Sequence, residues 1–146
     1  MTPGVKFTMN AAATASGTGV TIGPKYYMIN STTTGTRTTN WYAQFSGVPA
    51  GAANFVVTYK GSNSVTASQN IYIWNWTTST WFQIAGPTTV GTTDVTVTSA
   101  PPIAAPAAYI GTGAYNGQVR VRVLTTGGAT NFVTRADFMK LVYDAP

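Results

Sequence analysis

From residue 117 the chain reads GQVRVRVLT, and apolar and polar side chains alternate one for one from Gln118 to Val123. A period of two belongs to a β-strand, and it places Arg120 and Arg122 on one face with Val119, Val121 and Val123 on the other. Similar short runs recur along the chain, each closed by Gly, Pro, Asn or a Ser-Thr cluster. Long amphipathic helices need a 3.6-residue period and a coat of Glu, Lys, Arg or Gln, and both are missing. Charged residues are only 8% of the 146, and threonine, β-branched and suited to a pleated surface, is the most frequent residue.

Read in order, the expected strands are VKFTM (5–9), VTI (20–22), KYYMIN (25–30), NWYAQFS (40–46) and NFVVTYK (54–60, closed by GSNS). They continue with QNIYIWNWT (69–77), TWFQIA (80–85), TTDVTVTS (92–99), GQVRVRVLT (117–125), and FVTR followed by DFMKLVYD. The segment NAAATASGTG reads as a small-residue loop, and TTST between the two tryptophan-rich runs reads as a hairpin turn. APPIAAPAA (100–108) carries too many prolines for a central strand and reads as a crossing loop, with a short edge strand at AYIG. The outcome is an all-β chain of about eight to ten short strands with no long helix, hence an antiparallel β-sandwich, jelly-roll-like. Its organisation is expected to be an N-terminal arm with the first strand at 1–18 and a single β-sandwich domain at 19–146.

The absence of cysteine and histidine excludes disulfides, thiol nucleophiles, zinc sites and histidine-dependent triads. Only three acidic residues are present, Asp94, Asp137 and Asp144. Glycoside hydrolysis needs two carboxylates across one bond, and nothing in the sequence brings Asp94 and Asp137 together. Asp137 is expected to pair with Arg135 or another arginine, and Asp94 and Asp144 to be solvated charges at strand edges. No cofactor, metal or enzymatic activity is expected. The N-terminus has no continuous apolar stretch of the kind a secretory signal needs, and no segment is long and apolar enough for a transmembrane helix.

The stretch IYIWNWTTSTWFQI (71–84) holds three of the four tryptophans. Alternation sets Ile71, Ile73 and Asn75 against Tyr72, Trp74 and Trp76; across the turn it sets Trp81 and Gln83 against Phe82 and Ile84. Two arrangements are consistent with this. One buries Ile71, Ile73, Phe82 and Ile84 and leaves the aromatic set outside; the other buries the aromatics, which dominate many cores. If exposed, Tyr72, Trp74, Trp76 and Trp81, with Asn75 and Gln83 nearby, form a ligand or interface patch. The net charge of +5 is thinly spread, which argues against nucleic acid. Lys60, Arg120, Arg122 and Lys140 are expected at outward positions, as a basic face for an acidic partner or acidic glycans or as a solvated surface.

The ordered runs NFVVTYKGSNS, IYIWNWTTSTWFQI, VGTTDVTVT, GQVRVRVLTT and DFMKLVYD resemble carbohydrate-binding-module-like β-sandwich accessory domains of exported bacterial proteins. The resemblance covers about residues 40–144 and implies a jelly-roll-like sandwich. Two functions follow. The first is a structural protein of an assembly, a phage virion decoration or fibre-associated protein, whose partners are capsid or fibre subunits, with a homo-oligomer allowed and the virion or an extracellular surface as its location. The second is a carbohydrate-binding module that stacks sugars on exposed Trp and Tyr.

Overall fold

The computed structural model describes residues 3–5, 14–17 and 20–22 by their backbone, and residues 27–146 in full. Among the described residues there are eleven strands: β1 (Pro3–Val5), β2 (Thr14–Gly17), β3 (Val20–Ile22), β4 (Tyr27–Asn30), β5 (Thr38–Phe45), β6 (Ala53–Asn63), β7 (Ala67–Asn75), β8 (Thr80–Val90), β9 (Val95–Ser99), β10 (Val119–Thr126) and β11 (Val133–Asp144). Every pairing is antiparallel. Sheet A runs β3-β4-β11-β6-β9, with β1 also on β11, and sheet B runs β2-β5-β10-β7-β8. Successive strands cross repeatedly between the sheets, giving a jelly-roll-like sandwich.

The alternation read from the sequence is what closes the core. Sheet B turns Trp41, Ala43 and Phe45, Ile71 and Ile73, and Val119, Val121 and Val123 inward. Sheet A answers with Ile29, Phe55, Val57, Tyr59, Met139 and Leu141. Each fully buried side chain of this size contributes about 1.5–3 kcal/mol. A buried polar chain also ties the sheets together. The Thr39 and Thr134 hydroxyls lie 2.6 Å apart, Thr134 donates to Asn63 Oδ1 at 2.8 Å, and Asn63 Nδ2 donates to the Val90 carbonyl at 3.1 Å. At one rim Ser99 Oγ of β9 donates to the Ile84 carbonyl of β8 at 2.5 Å, joining the edge strands of the two sheets.

Several boundaries depart from expectation. Strand β6 continues through Gly61, Ser62 and Asn63, where a closing loop was expected. Gly61 permits this, because a Cβ there would stand 2.5 Å from Tyr59 Oη and 2.7 Å from the Arg135 carbonyl. Strand β8 runs on to Val90 through Gly86 and Pro87. It is an edge strand, where a residue without an N–H is tolerated. Gly86 there has φ +103°, and a Cβ would meet the Gln69 carbonyl at 2.5 Å. FVTR and DFMKLVYD are one strand, β11, with a bulge between Ala136 and Phe138. AYIG is not a strand; Pro106–Tyr109 forms a 3-10 turn, as a proline at its start favours. Strand β2 falls inside the expected small-residue loop, where its backbone pairs with the edge of β5. The expected strand at 5–9 lies outside the described residues beyond Val5. Among the described residues no helix is long and apolar enough to cross a membrane.

Candidate functional site

The inward residues of sheet B are committed to the core, so its outward residues define a second surface. Strand β10 lies between β5 and β7 in full register. Arg122 sits opposite Tyr42 on one side and Tyr72 on the other, and Tyr72 is in turn opposite Gln83 of β8. Arg120 is opposite Gln44, and Trp74 is opposite Trp81. A hairpin closes β7 onto β8, with Asn75 opposite Thr80.

The three tryptophans of residues 71–84 therefore lie on the outer face, each half-buried, while Trp41 alone is in the core at 1% exposure. Trp74 meets Trp81 at 5.0 Å between ring centroids and Trp76 at 6.4 Å, both edge to face. Trp76 stacks on Tyr115 at 5.0 Å, and Trp81 reaches Tyr42 at 6.1 Å. Edge-to-face and offset packing suits the ring quadrupoles and holds each ring in place. Trp76 is also fixed by polar bonds, its Nε1 donating to the Gln118 carbonyl at 3.1 Å and its backbone N–H to the Ala108 carbonyl at 2.8 Å.

Two guanidinium groups are set into this aromatic surface. Arg120 lies over Trp76 at 4.7 Å, Tyr42 at 5.3 Å and Tyr115 at 5.4 Å. Arg122 lies over Tyr72 at 5.3 Å and Trp81 at 5.6 Å. Their hydrogen bonds go to neutral amides: Arg120 to Gln44 Oε1 (3.1 Å) and Gln118 Oε1 (3.3 Å), and Arg122 to Asn40 Oδ1 (2.7 Å). The result is a broad platform of rings edged by amides and carrying two fixed positive charges.

Of the residues singled out from sequence, Tyr72, Trp74, Trp76, Trp81 and Gln83 come together on this face. Gln83 uses its Nε2 to hold the strand, donating to Asn70 Oδ1 and to the Gly86 carbonyl, both at 3.1 Å. Asn75 does not join them. Its Oδ1 accepts from the backbone N–H groups of Thr77 and Thr78, at 3.0 and 3.1 Å, and shapes the hairpin turn. Phe82, which one of the two arrangements placed inside, is 44% exposed. Strand β8 is the sheet's edge, and Phe82 there packs edge to face on Tyr109 at 6.0 Å.

The four basic residues do not form one face. Arg120 and Arg122 belong to sheet B, whereas Lys60 and Lys140 stand on β6 and β11 of sheet A. Asp137 pairs with Lys60 at 2.7 Å and not with an arginine, because the bulge in β11 brings it beside β6. Asp94 reaches the same ammonium at 3.5 Å. The two carboxylates that nothing in the sequence joined thus meet through Lys60, whose pKa is held above its ordinary value, chiefly by its bond to Asp137. Asp144 accepts from Asn54 Nδ2 at 2.8 Å, so it too is partnered.

Sequence reasoning missed Tyr42, Gln44, Asn40 and Tyr115. Alternation in NWYAQFS already separated Asn40, Tyr42 and Gln44 from Trp41, Ala43 and Phe45, but only the register of β5 on β10 carries them to the arginines. Tyr115 comes from a 3-10 turn in a loop without periodicity.

Fold and face together define an antiparallel, jelly-roll-like β-sandwich with an aromatic and cationic platform on one sheet. The sequence matches no protein-family model and no curated protein. Among solved structures it is similar to the module TmCBM61 in complex with β-1,4-galactotriose, at 10% identity and a TM-score of 0.47 over 94% of this chain and 86% of that one. It is similar to a CBM4 structure at 10% identity and a TM-score of 0.44, over 80% and 94%. The enzymatically active domain of bacteriophage CBA120 tailspike protein 4 also matches, at 9% identity and a TM-score of 0.44, over 94% of this chain but 19% of that one. These are likenesses of fold alone.

Proposed function

We propose that the outer face of sheet B binds carbohydrate and that the protein acts by binding, without catalysis. The carrying observation is the interlocked set Tyr72, Trp74, Trp76 and Trp81, half-exposed on one face and bordered by the amides of Asn40, Gln44, Asn70 and Gln83. Sugar rings present apolar C–H faces that pack on aromatic surfaces, and their hydroxyls require the mixed donors and acceptors that amides supply. The rings already fix one another, so little ordering is required when a ligand arrives. No side-chain carboxylate stands on the face to serve as acid, base or nucleophile, since Asp94 and Asp137 are held by Lys60 and Asp144 by Asn54.

A platform of this kind suits a module displayed where polysaccharide is met, on an extracellular or virion surface. The assembly role has no feature of its own among the described residues, and a subunit of a larger particle would use the same face. Titration against a polysaccharide panel, followed by tryptophan fluorescence, tests the reading. Saturable binding that is lost in Trp81→Ala, with the fold retained by circular dichroism, is the expected result. A folded protein that responds to no polysaccharide overturns it.

A further inference from the structure

The binding face carries charge that the protein itself leaves uncompensated. All three acidic side chains of the chain are engaged on sheet A, two by Lys60 and one by Asn54. On sheet B, Arg120 and Arg122 stand two residues apart on the same side of β10, a separation of about 7 Å. Their hydrogen-bond partners Gln44, Gln118 and Asn40 are amides of the same length and shape as Glu and Asp, so the acceptor geometry is present and the negative charge is not. Arg122 donates one of its five N–H groups within the protein and Arg120 two. Ring faces orient a guanidinium but do not neutralise it. The remaining donors form the planar fork that matches a carboxylate in bidentate fashion.

We propose that this face is selective for acidic polysaccharides, with Arg120 and Arg122 engaging the carboxylates of uronate-type sugars while neighbouring rings pack on the sugar faces. The proposal rests on the carbohydrate reading above and names its ligand class. A glycan fits the face better than nucleic acid, because two cations among amides are few for a phosphate backbone that presents a charge at every step.

The test compares binding of the full chain to polygalacturonate, alginate and hyaluronate with binding to fully methyl-esterified polygalacturonate and to neutral galactan and β-glucan. Dextran sulfate and oligo-dT serve as general polyanions. The variants are Arg120→Gln and Arg122→Gln, together with Gln44→Glu and Asn40→Asp, which keep the arginines and supply each with an internal carboxylate. Binding to at least one uronate polymer is expected, weakened by salt. It should fall roughly ten- to a hundredfold on methyl esterification and in either kind of variant. Binding to neutral polymers alone, unchanged in the four variants but lost in Trp81→Ala, overturns the acidic assignment and leaves carbohydrate binding standing. Binding to dextran sulfate or oligo-dT in preference to every uronate polymer also overturns it. A folded protein that binds no polysaccharide removes both readings.

Discussion

On the outer face of sheet A, Lys60 is pinned between Asp137 and Asp94 and Asp144 is bonded to Asn54, whereas on sheet B Arg120 and Arg122 reach only amide oxygens and ring faces. Both faces come from the same device, strands whose alternate residues fill one core. What differs is how charge is matched. Sheet A matches its carboxylates with Lys60 and Asn54, and its other outward residues, among them Val56, Thr58, Arg135, Lys140 and Val142, build no cluster of rings around a cation. Sheet B surrounds its charges with aromatic area and neutral hydrogen-bonding groups. Outward parity alone therefore does not tell the two faces apart; what surrounds their charges does.

The largest effect that separates the faces is on ligand affinity. Replacing both Trp74 and Trp81 with Ala should weaken polysaccharide binding about thirtyfold or more, a loss of about 2 kcal/mol typical of a buried aromatic anchor. Lys60→Met and Lys140→Met, on the opposite sheet, should leave the affinity unchanged. Isothermal titration of the three variants decides this, and equal losses on both sheets would erase the distinction.

A second contrast concerns stability beneath the paired charges. The Tyr59 hydroxyl is buried without a hydrogen-bond partner among the described residues, and burial, with help from Asp94 and Asp137, pushes its ionisation far above the usual tyrosine range. A folded value raised in this way gives stability that is complete below the ordinary tyrosine pKa and is lost as the pH rises towards the raised one. Tyr59→Phe removes the unpaired hydroxyl, so it should hold or increase stability by up to about 1 kcal/mol at neutral pH and more in alkali. Urea unfolding at pH 7 and pH 11 measures both.

The smallest effect is that of Lys60→Met. The raised ammonium pKa contributes stability present below the ordinary lysine range and lost as the pH climbs through the raised value. The variant should unfold slightly earlier at pH 7, and its deficit should shrink in high salt, since the pair is solvent-facing. Thermal midpoints at pH 7 to 11, with and without salt, would show whether the alkaline sensitivity belongs to sheet A.

Much of this was legible in the chain. The alternation in GQVRVRVLT gave β10 with its faces correctly assigned, and IYIWNW placed Tyr72, Trp74 and Trp76 together. Strand ends were less legible where distant residues decide them. Gly61 extends β6 because Tyr59 Oη and the Arg135 carbonyl occupy its missing side-chain space, and β8 tolerates Pro87 because no described strand pairs on its other side. Whether the tryptophans lay inside or out could not be read from period two, which is symmetric between the two choices; the inward rows of the opposite sheet settle it. The arginine–aromatic contacts were hidden for the same reason, since Tyr42 and Arg122 meet only across a register between segments far apart in sequence.

The central position of β10 has a consequence for how such a surface diversifies. Tyr42, Gln44, Tyr72, Gln83, Arg120 and Arg122 all occupy outward positions, and on β5, β7 and β10 their immediate neighbours in sequence are the residues that hold the sandwich together. On the carbohydrate reading, exchanging one outward side chain alters what the surface recognises without repacking what lies beneath. Selection, natural or in a display library, can therefore search ligand preference one position at a time on an unchanging scaffold.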